Sequence, residues 1–170
     1  MSEPLLTARS VLTRLSVVDA EFLHELMNSP PYLQFVGDRG LDSVQKTERY
    51  INEYFLASQR KHRFGYFIAS NRDGEKVGVV GFLKKDYLQY PDIGFAFLPG
   101  YQSQGLGYEV SNKVMEHAIE NYAMTRIDAV VAPDNFVSQG LLQKLNFQAQ
   151  GSIVVPGQEQ QSLLYHWRMD

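Results

Sequence analysis

Residues 95–107 read Phe95-Ala-Phe-Leu-Pro-Gly-Tyr-Gln-Ser-Gln-Gly-Leu-Gly107, and a helical pattern continues from there to Tyr122. The apolar beginning is typical of a strand, and Pro99-Gly100 ends it. Gly105 and Gly107 then lead into the helix without side chains that would cover its first N–H groups. A turn of this kind directs several backbone N–H groups toward one point, which predicts a pocket for an anion.

The glycine spacing excludes two common phosphate loops. A nucleoside triphosphate loop has a Lys-Ser/Thr pair after its last Gly, a dinucleotide loop has the spacing G-x-G-x-x-G, and residues 95–107 have neither. The remaining pattern, Gln102-x-x-Gly105-x-Gly107, also occurs in ordinary strand-to-helix turns. By itself, the loop leaves an anion site and a plain turn open.

Composition narrows the class of protein. The 170 residues, 44% of them hydrophobic, suit a single domain over residues 1–170 with a core that needs no covalent staples. The absence of cysteine excludes disulfides, thiolate metal sites and an acyl-cysteine intermediate. A net charge of −3 without a Lys/Arg stripe argues against nucleic acid. We expect a cytoplasmic protein that does not enter a membrane, because neither a long apolar run nor a signal sequence is present.

The hydrophobic pattern predicts an α/β (α+β) fold with a mixed central sheet of about seven strands flanked by about four helices. The predicted order is β-α-α-β-β-β-α-β-α-β-β. Predicted strands cover 7–15, 64–70, 76–85, 92–98, 126–132, 147–155 and 161–169. Pro30-Pro31 should stop the first helix, and 28–41 should be irregular. A second helix should begin at Asp42-Ser43.

The loop lies between two predicted strands that we expect to be parallel. Strand 92–98, the helix to Tyr122 and strand 126–132 form a right-handed crossover. Ligands of such units bind outside the carboxyl end of the first strand, which is where the loop lies. The pattern therefore predicts that the loop faces a ligand crevice.

A second motif follows this unit: Asn135-x-x-Ser138-x-x-Leu141-Leu142-x-Lys144-x-Asn146-Phe147. Asn135 suits a helix N-cap, and Asn146 suits a left-handed C′ position with Phe147 packed back on Leu142. The two motifs together resemble the signatures of the GNAT superfamily of N-acetyltransferases, along nearly the whole chain. The strand Asp92-Ile-Gly-Phe-Ala-Phe-Leu98 beside the loop is most similar to the branch that includes the RimJ/RimL protein N-terminal alanine acetyltransferases.

The resemblance implies acetyl-CoA as cosubstrate and no metal, and the four histidines show no metal-ligand spacing. It implies backbone contacts from Phe97 and Leu98 to the pantetheine arm, with Asn135 near the far end of that arm. Around the pyrophosphate it implies Gln102, Gln104, Gly105, Leu106 and Gly107. Many relatives have Arg or Lys where this chain has Gln102 and Gln104, so phosphate binding should depend on N–H groups and the helix dipole. Purely structural roles remain open: a core position for Phe97 and Leu98, and an N-cap for Asn135.

With no cysteine, the natural route is direct attack of an amine on the thioester. The resemblance implies Asp92 as general base, unless it is simply a solvated strand-edge residue. Ser138 could stabilise the departing thiolate or assist the helix cap. Leu142 occupies the position of the usual Tyr acid, which leaves that role unfilled. His166 and Tyr165 could approach the amine.

The predicted function is an acetyl-CoA-dependent N-acetyltransferase acting on a primary amine, either a protein or peptide N-terminus or a small molecule. Two alternatives stay open: a module that binds acyl-CoA with little or no turnover, and a domain for another phosphorylated ligand. The acceptor depends on residues 28–41, 86–91 and the last hairpin, whose conformations the sequence does not give. A homodimer also stays open.

Overall fold

The computed structural model describes residues 2–170, which form eight strands and six α-helices. The strands are β1 (Leu5–Leu6), β2 (Ser10–Arg14), β3 (Tyr66–Asn71), β4 (Lys76–Leu83), β5 (Asp92–Phe97), β6 (Arg126–Val131), β7 (Gln148–Val154) and β8 (Gln161–Arg168). The helices are α1 (Ala20–Met27), α2 (Pro30–Phe35), α3 (Val44–Tyr50), α4 (Ala57–His62), α5 (Leu106–Tyr122) and α6 (Phe136–Lys144). A π-helical segment (Ile51–Leu56) joins α3 to α4. Within these residues, none of the helices has the length and apolar character needed to cross a membrane.

The strands form one mixed sheet in the order β1-β2-β3-β4-β5-β6-β8-β7. Neighbouring strands are antiparallel except β5 and β6, which are parallel as predicted. The last strand, β8, lies between β6 and β7, so the final hairpin closes the sheet on the far side of β6. The predicted fold class is confirmed.

Each face of the sheet has its own core. Val110, Val114 and Ala118 of α5 pack with sheet residues and Leu142 of α6 in the larger cluster. Residues of α1 and of the π-helical segment pack against Ile68 and other residues of the opposite face. The predicted apolar stripe of α5 is confirmed, because its buried positions recur every three to four residues.

The first helical region differs from the prediction. Pro30 and Pro31 do not leave an irregular segment behind them, since they begin α2. A proline in the first helical turn lacks an N–H that would be unpaired there in any case, and its φ already suits the helix. The following helix begins as predicted at Ser43, whose hydroxyl accepts from the Lys46 N–H at 3.1 Å.

The end of α6 is formed as predicted. Asn146 is left-handed with φ 68°. The Phe147 N–H donates to the Leu142 carbonyl at 2.9 Å, and the Asn146 N–H donates to the Gln143 carbonyl at 3.0 Å. These two bonds define a Schellman ending, and they fix the direction in which the chain enters β7.

The parallel strands β5 and β6 separate soon after they meet. Within residues 2–170 they share a single pair of register partners, Asp92 and Asp128. The Asp128 N–H donates to the Pro91 carbonyl at 2.8 Å beside this pair. Beyond it the strands diverge and leave a cleft in the sheet, which opens toward the loop before α5.

Candidate active site

The side of β5 that faces the cleft carries backbone groups that do not pair with β4, of which the Phe97 carbonyl accepts a hydrogen bond from Gln102. The Leu98 N–H donates to the Val77 carbonyl of β4 at 2.9 Å. Because backbone groups alternate in direction along an antiparallel strand, Gly94, Ala96 and Leu98 face β4, whereas Phe95 and Phe97 face the cleft. The expectation that Leu98 offers backbone groups to a ligand is not met, because its N–H is bonded to Val77 and its carbonyl accepts from the Tyr101 N–H at 2.9 Å. Phe97 keeps the predicted orientation, and Phe95 has the same one.

Two cavities meet in the cleft. The first encloses about 160 Å³ and is lined by residues that include Tyr66, Lys85, Asp92, Gly94 and Leu142. The second encloses about 270 Å³ and is lined by residues that include Phe97, Tyr101, Gln102, Ser103 and Gly107. Asn135 and Ser138 line both. The second cavity thus joins the Gly-rich loop to the first cavity at the beginning of α6.

The loop has the backbone geometry that its glycines predicted. Gly105 is the N-cap of α5 and is left-handed, with φ 78°. A Cβ on Gly107 would lie 3.2 Å from Leu141 Cδ2, so this glycine permits close packing of α5 on α6. The first turn of α5 consequently has its N–H groups free of bulky side chains at one end of the second cavity.

Three of the predicted loop residues have contacts within the protein. Gln102 Nε2 donates to the Phe97 carbonyl at 3.2 Å, and Gln104 Nε2 donates to the Gly100 carbonyl at 3.1 Å. Leu106 is buried in the larger core. Neither Gln104, Gly105 nor Leu106 is among the residues that line the second cavity. The two glutamines therefore stabilise the loop through hydrogen bonds to backbone carbonyls of residues 97 and 100.

A cation that the sequence analysis missed lies beside the loop. Arg9, between β1 and β2, donates through Nη1 to the Gln104 carbonyl at 2.9 Å and through Nε to Glu109 Oε1 at 3.0 Å. Glu109 Oε2 also accepts from Thr7 Oγ1 at 2.6 Å and from the Arg9 N–H at 2.9 Å. Although burial opposes it, these hydrogen bonds and the Arg9 charge lower the pKa of Glu109. Arg9 thereby ties the loop to the first turn of α5.

Asn135 and Ser138 occupy the junction of the two cavities. Asn135 Oδ1 accepts from the Ser138 N–H at 3.2 Å, which confirms Asn135 as the N-cap of α6. This bond uses the carbonyl oxygen of the side chain and leaves the amide nitrogen for another partner. The cap is therefore compatible with a ligand role for Asn135, and the Ser138 hydroxyl lies at the same junction.

Asp92 lies at the point where the strands separate. It is only 5% exposed, so the alternative of a solvated strand-edge residue is wrong. Its Oδ2 lies 3.0 Å from Lys85 Nζ. Its Oδ1 is buried and has no hydrogen-bond partner among the described residues. Burial raises the pKa of Asp92 despite the opposing charge of Lys85. A carboxylate in this state is suited to accept a proton.

Lys85 is the second residue of the site that the sequence did not reveal. Burial by itself lowers the pKa of the Lys85 ammonium, but the charge of Asp92 and its hydrogen bond oppose this effect and the pKa is raised. Lys85 therefore remains charged at neutral pH. Its role is electrostatic, since it stabilises the ionised form of a buried carboxylate.

Aromatic side chains form one wall of the first cavity, which we call the aromatic wall: Tyr32, Tyr50, Tyr54, Phe55 and Tyr66. The ring centroids of Tyr50 and Tyr54 are 4.9 Å apart, and those of Phe55 and Tyr66 are also 4.9 Å apart. The π-helical segment places Tyr54 and Phe55 next to each other on this wall, and π-helical turns are frequent at functional sites.

The side chain of Tyr66, in β3, lies above Gly94 of β5. A Cβ at residue 94 would overlap the Tyr66 hydroxyl, so the glycine makes room for the phenol. Burial, followed by the charge of Asp92, raises the pKa of Tyr66 well above its usual value. The phenol keeps its proton at neutral pH and is a hydrogen-bond donor beside the carboxylate.

The residues proposed to approach the amine from β8 do not reach the cavities. Tyr165 is buried in the larger core, and the prediction for it is wrong. His166 Nδ1 lies 2.8 Å from Asp128 Oδ1, one strand away from Asp92. Leu142 is buried where it meets the first cavity, so the position of the usual Tyr acid carries no acid group.

The sheet is split at two parallel strands, a Gly-rich helix start lies at the open end of the cleft, and a buried carboxylate lies at its closed end. This arrangement is the one expected of the acyltransferases whose signatures the two motifs resemble. The family model described as acetyltransferase (GNAT) domain matches residues 9–148. The chain belongs to this family and is an N-acetyltransferase.

The relatives agree with this assignment. The chain is 27% identical over 147 residues to the uncharacterized N-acetyltransferase YoaA of Bacillus subtilis (strain 168), covering 85% of this chain and 82% of that protein. An acetyltransferase from Agrobacterium tumefaciens str. C58 has a similar structure, with a TM-score of 0.82, 19% identity and coverage of 99% and 96%. RimL, a ribosomal L7/L12 α-N-protein acetyltransferase solved with coenzyme A, has a TM-score of 0.77, 18% identity and 99% coverage of both chains.

Proposed function

We propose that this enzyme is an acetyl-CoA-dependent N-acetyltransferase that transfers the acetyl group directly to a primary amine, as the RimJ/RimL-like branch does. The observation that carries the proposal is Asp92: a buried carboxylate with one unpartnered oxygen, in the same cleft as the Gly-rich loop. A buried carboxylate oxygen without a partner is costly unless a ligand supplies one. An amine entering the first cavity supplies that partner.

The coenzyme would occupy the second cavity. Its pyrophosphate would meet the N–H groups around Gly105 and Gly107, where the dipole of α5 favours negative charge. Its pantetheine arm would run along β5 and hydrogen-bond to the backbone of Phe95 and Phe97. Asn135 and Ser138 would contact the end of the arm that carries the thioester, because they lie where the cavities join.

The reaction requires three steps in the first cavity. Asp92 takes a proton from the ammonium group, directly or through a water molecule, and the neutral nitrogen attacks the thioester carbonyl. The new C–N bond forms as the C–S bond breaks, and the electron pair of that bond leaves with sulfur. The Ser138 hydroxyl hydrogen-bonds to the departing thiolate. The second proton that the attacking nitrogen must lose passes to this sulfur, so the products are the neutral amide and the thiol of coenzyme A, and Asp92 returns its proton to solvent.

Two measurements test this function. Titration calorimetry with acetyl-CoA should show binding, and thiol release should follow when peptides with free N-termini or small primary amines are added. A failure to bind acetyl-CoA would overturn the proposal. Tight binding without thiol release against a broad amine panel would favour the alternative of a binding module, which the missing acid at Leu142 would permit.

A further inference from the structure

The charges of the first cavity do not balance. Of the residues that the structure describes, three with a formal charge line this cavity: Arg39, Lys85 and Asp92. Lys85 and Asp92 neutralise each other at a distance of 3.0 Å. Arg39 therefore gives the cavity one unmatched positive charge.

Arg39 has no carboxylate of its own. No ion pair within residues 2–170 includes its guanidinium. The adjacent carboxylate, that of Asp38, is engaged by the Gly40 N–H at 2.8 Å in a turn of its own backbone. The Arg39 guanidinium is exposed at the edge of the cavity and hydrogen-bonds to the Tyr50 side chain. Its remaining donors are available to a partner that enters the cavity, and guanidinium groups bind carboxylates with two parallel hydrogen bonds.

The aromatic wall connects this cation to the site of the reaction. Burial raises the pKa of the Tyr50 phenol and raises that of Tyr32 to about 12. Both residues lie close enough to Arg39 for its positive charge to oppose this increase. Tyr54, Phe55 and Tyr66 continue the wall from there, and Tyr66 lies over Gly94 of β5. The same cavity therefore offers a carboxylate at the closed end of the cleft, aromatic surface and a cation that no carboxylate neutralises.

We infer that the acceptor is an amine that also bears an anionic group, a carboxylate in the simplest case, on an apolar or aromatic body. Its amine meets Asp92, its body lies against the aromatic wall and its anionic group pairs with Arg39. This inference rests on the proposed function and specifies its substrate. Polycations such as polyamines and aminoglycosides are poor candidates, because the cavity has no second carboxylate to receive another ammonium group.

The experiment uses acceptor pairs that differ in one charge: phenylalanine against phenylalaninamide, and leucine against leucinamide, with spermidine as the polycation. Thiol release gives kcat/KM for the wild type, Arg39→Gln, Arg39→Lys and Arg49→Gln. Arg49 is an exposed arginine of α3 that lines neither cavity, so its variant is the matched control. Calorimetry of the same probes in the presence of coenzyme A gives binding without turnover.

The wild type and Arg49→Gln should prefer each carboxylate to its amide. Arg39→Gln should lower kcat/KM for the carboxylates by roughly tenfold to a hundredfold, mainly through KM, and leave the amides nearly unchanged. Arg39→Lys should restore part of the preference, because it keeps the charge and loses the planar fork.

Three results would overturn the inference: a preference of the wild type for spermidine, an equal loss for carboxylates and amides in Arg39→Gln, or carboxylates that neither react nor bind better than their amides. Selective binding of the carboxylates without thiol release would support the inference while overturning the proposed acetyl transfer. The two failures are therefore distinguishable.

Discussion

The Lys85 ammonium lies 3.0 Å from the Asp92 carboxylate at the point where the two parallel strands of the sheet separate. The pair is asymmetric, because one oxygen of Asp92 is engaged by Lys85 and the other has no partner among the described residues. Lys85 favours the ionised form of the carboxylate, although burial raises the pKa of Asp92 overall, and the free oxygen can accept a proton.

Asp92→Asn should lower kcat by about a hundredfold to ten-thousandfold, as expected for the loss of a general base. In the wild type, the rate should rise with pH through the pKa of Asp92, since only the ionised carboxylate accepts a proton. That pKa is raised by burial, so the rise should occur at a higher pH than for an exposed carboxyl group. A pH profile of kcat/KM at saturating acetyl-CoA measures it. An Asp92→Asn variant with the wild-type profile would exclude Asp92 as the base.

Lys85→Met should move the acidic limb of that profile to higher pH by about one unit or more, because an opposite charge at this distance stabilises the carboxylate. Lys46→Met is the matched control, since Lys46 pairs with the exposed Asp42 at 2.9 Å, outside the cleft. It removes the same charge and should leave the profile unchanged. An unshifted limb in Lys85→Met would show that the limb belongs to another group.

Arg9→Ala should weaken acetyl-CoA binding by several-fold, because it removes the side chain that joins the Gln104 carbonyl of the loop to Glu109 of α5. The effect on stability should be about 1 kcal/mol or less, since the ion pair is partly exposed to solvent. Arg72→Ala is the control. Arg72 donates to the carbonyls of Thr7 and Ala8 in the same β1–β2 turn and has no bond to the loop. Calorimetry should separate the two variants, and equal Kd values for them would contradict a role of Arg9 in positioning the loop.

Local signals in the sequence predicted the elements that hold the site. Gly105, Asn135 and Asn146 each fix a helix end through their own backbone or a bond to the next turn, so neighbouring residues suffice to recognise them. Pro30 has two meanings in a sequence. The first helix ends before it as predicted, but α2 begins at it instead of an irregular segment, because a proline suits the first turn of a helix as well as the end of one.

The remaining parts of the site depend on tertiary contacts. The resemblance implies a ligand role for Leu98, but the sequence does not show on which side of β5 the partner strand lies. The bond from the Leu98 N–H to the Val77 carbonyl shows that Leu98 faces β4. Arg9 reaches a carbonyl 95 residues away. The pairing of Lys85 with Asp92 and the unmatched charge of Arg39 likewise appear only when the chain is folded around the cleft.

Gly105→Ala tests whether the left-handed helix start holds the coenzyme. At φ 78° an L side chain is strained by about 1 kcal/mol, although the added Cβ would meet only Arg9 Nη2 at 3.5 Å. The strain should reposition the first N–H groups of α5 and raise the Kd for acetyl-CoA about fivefold or more, with little change in the KM of the amine. Gly100→Ala is the matched control in the same loop, since its φ is ordinary and its Cβ would meet nothing within 4 Å. Calorimetry with acetyl-CoA compares the two variants. If Gly100→Ala weakened binding as much as Gly105→Ala, general loosening of the loop would explain both, and the backbone of Gly105 would have no special part in binding the pyrophosphate.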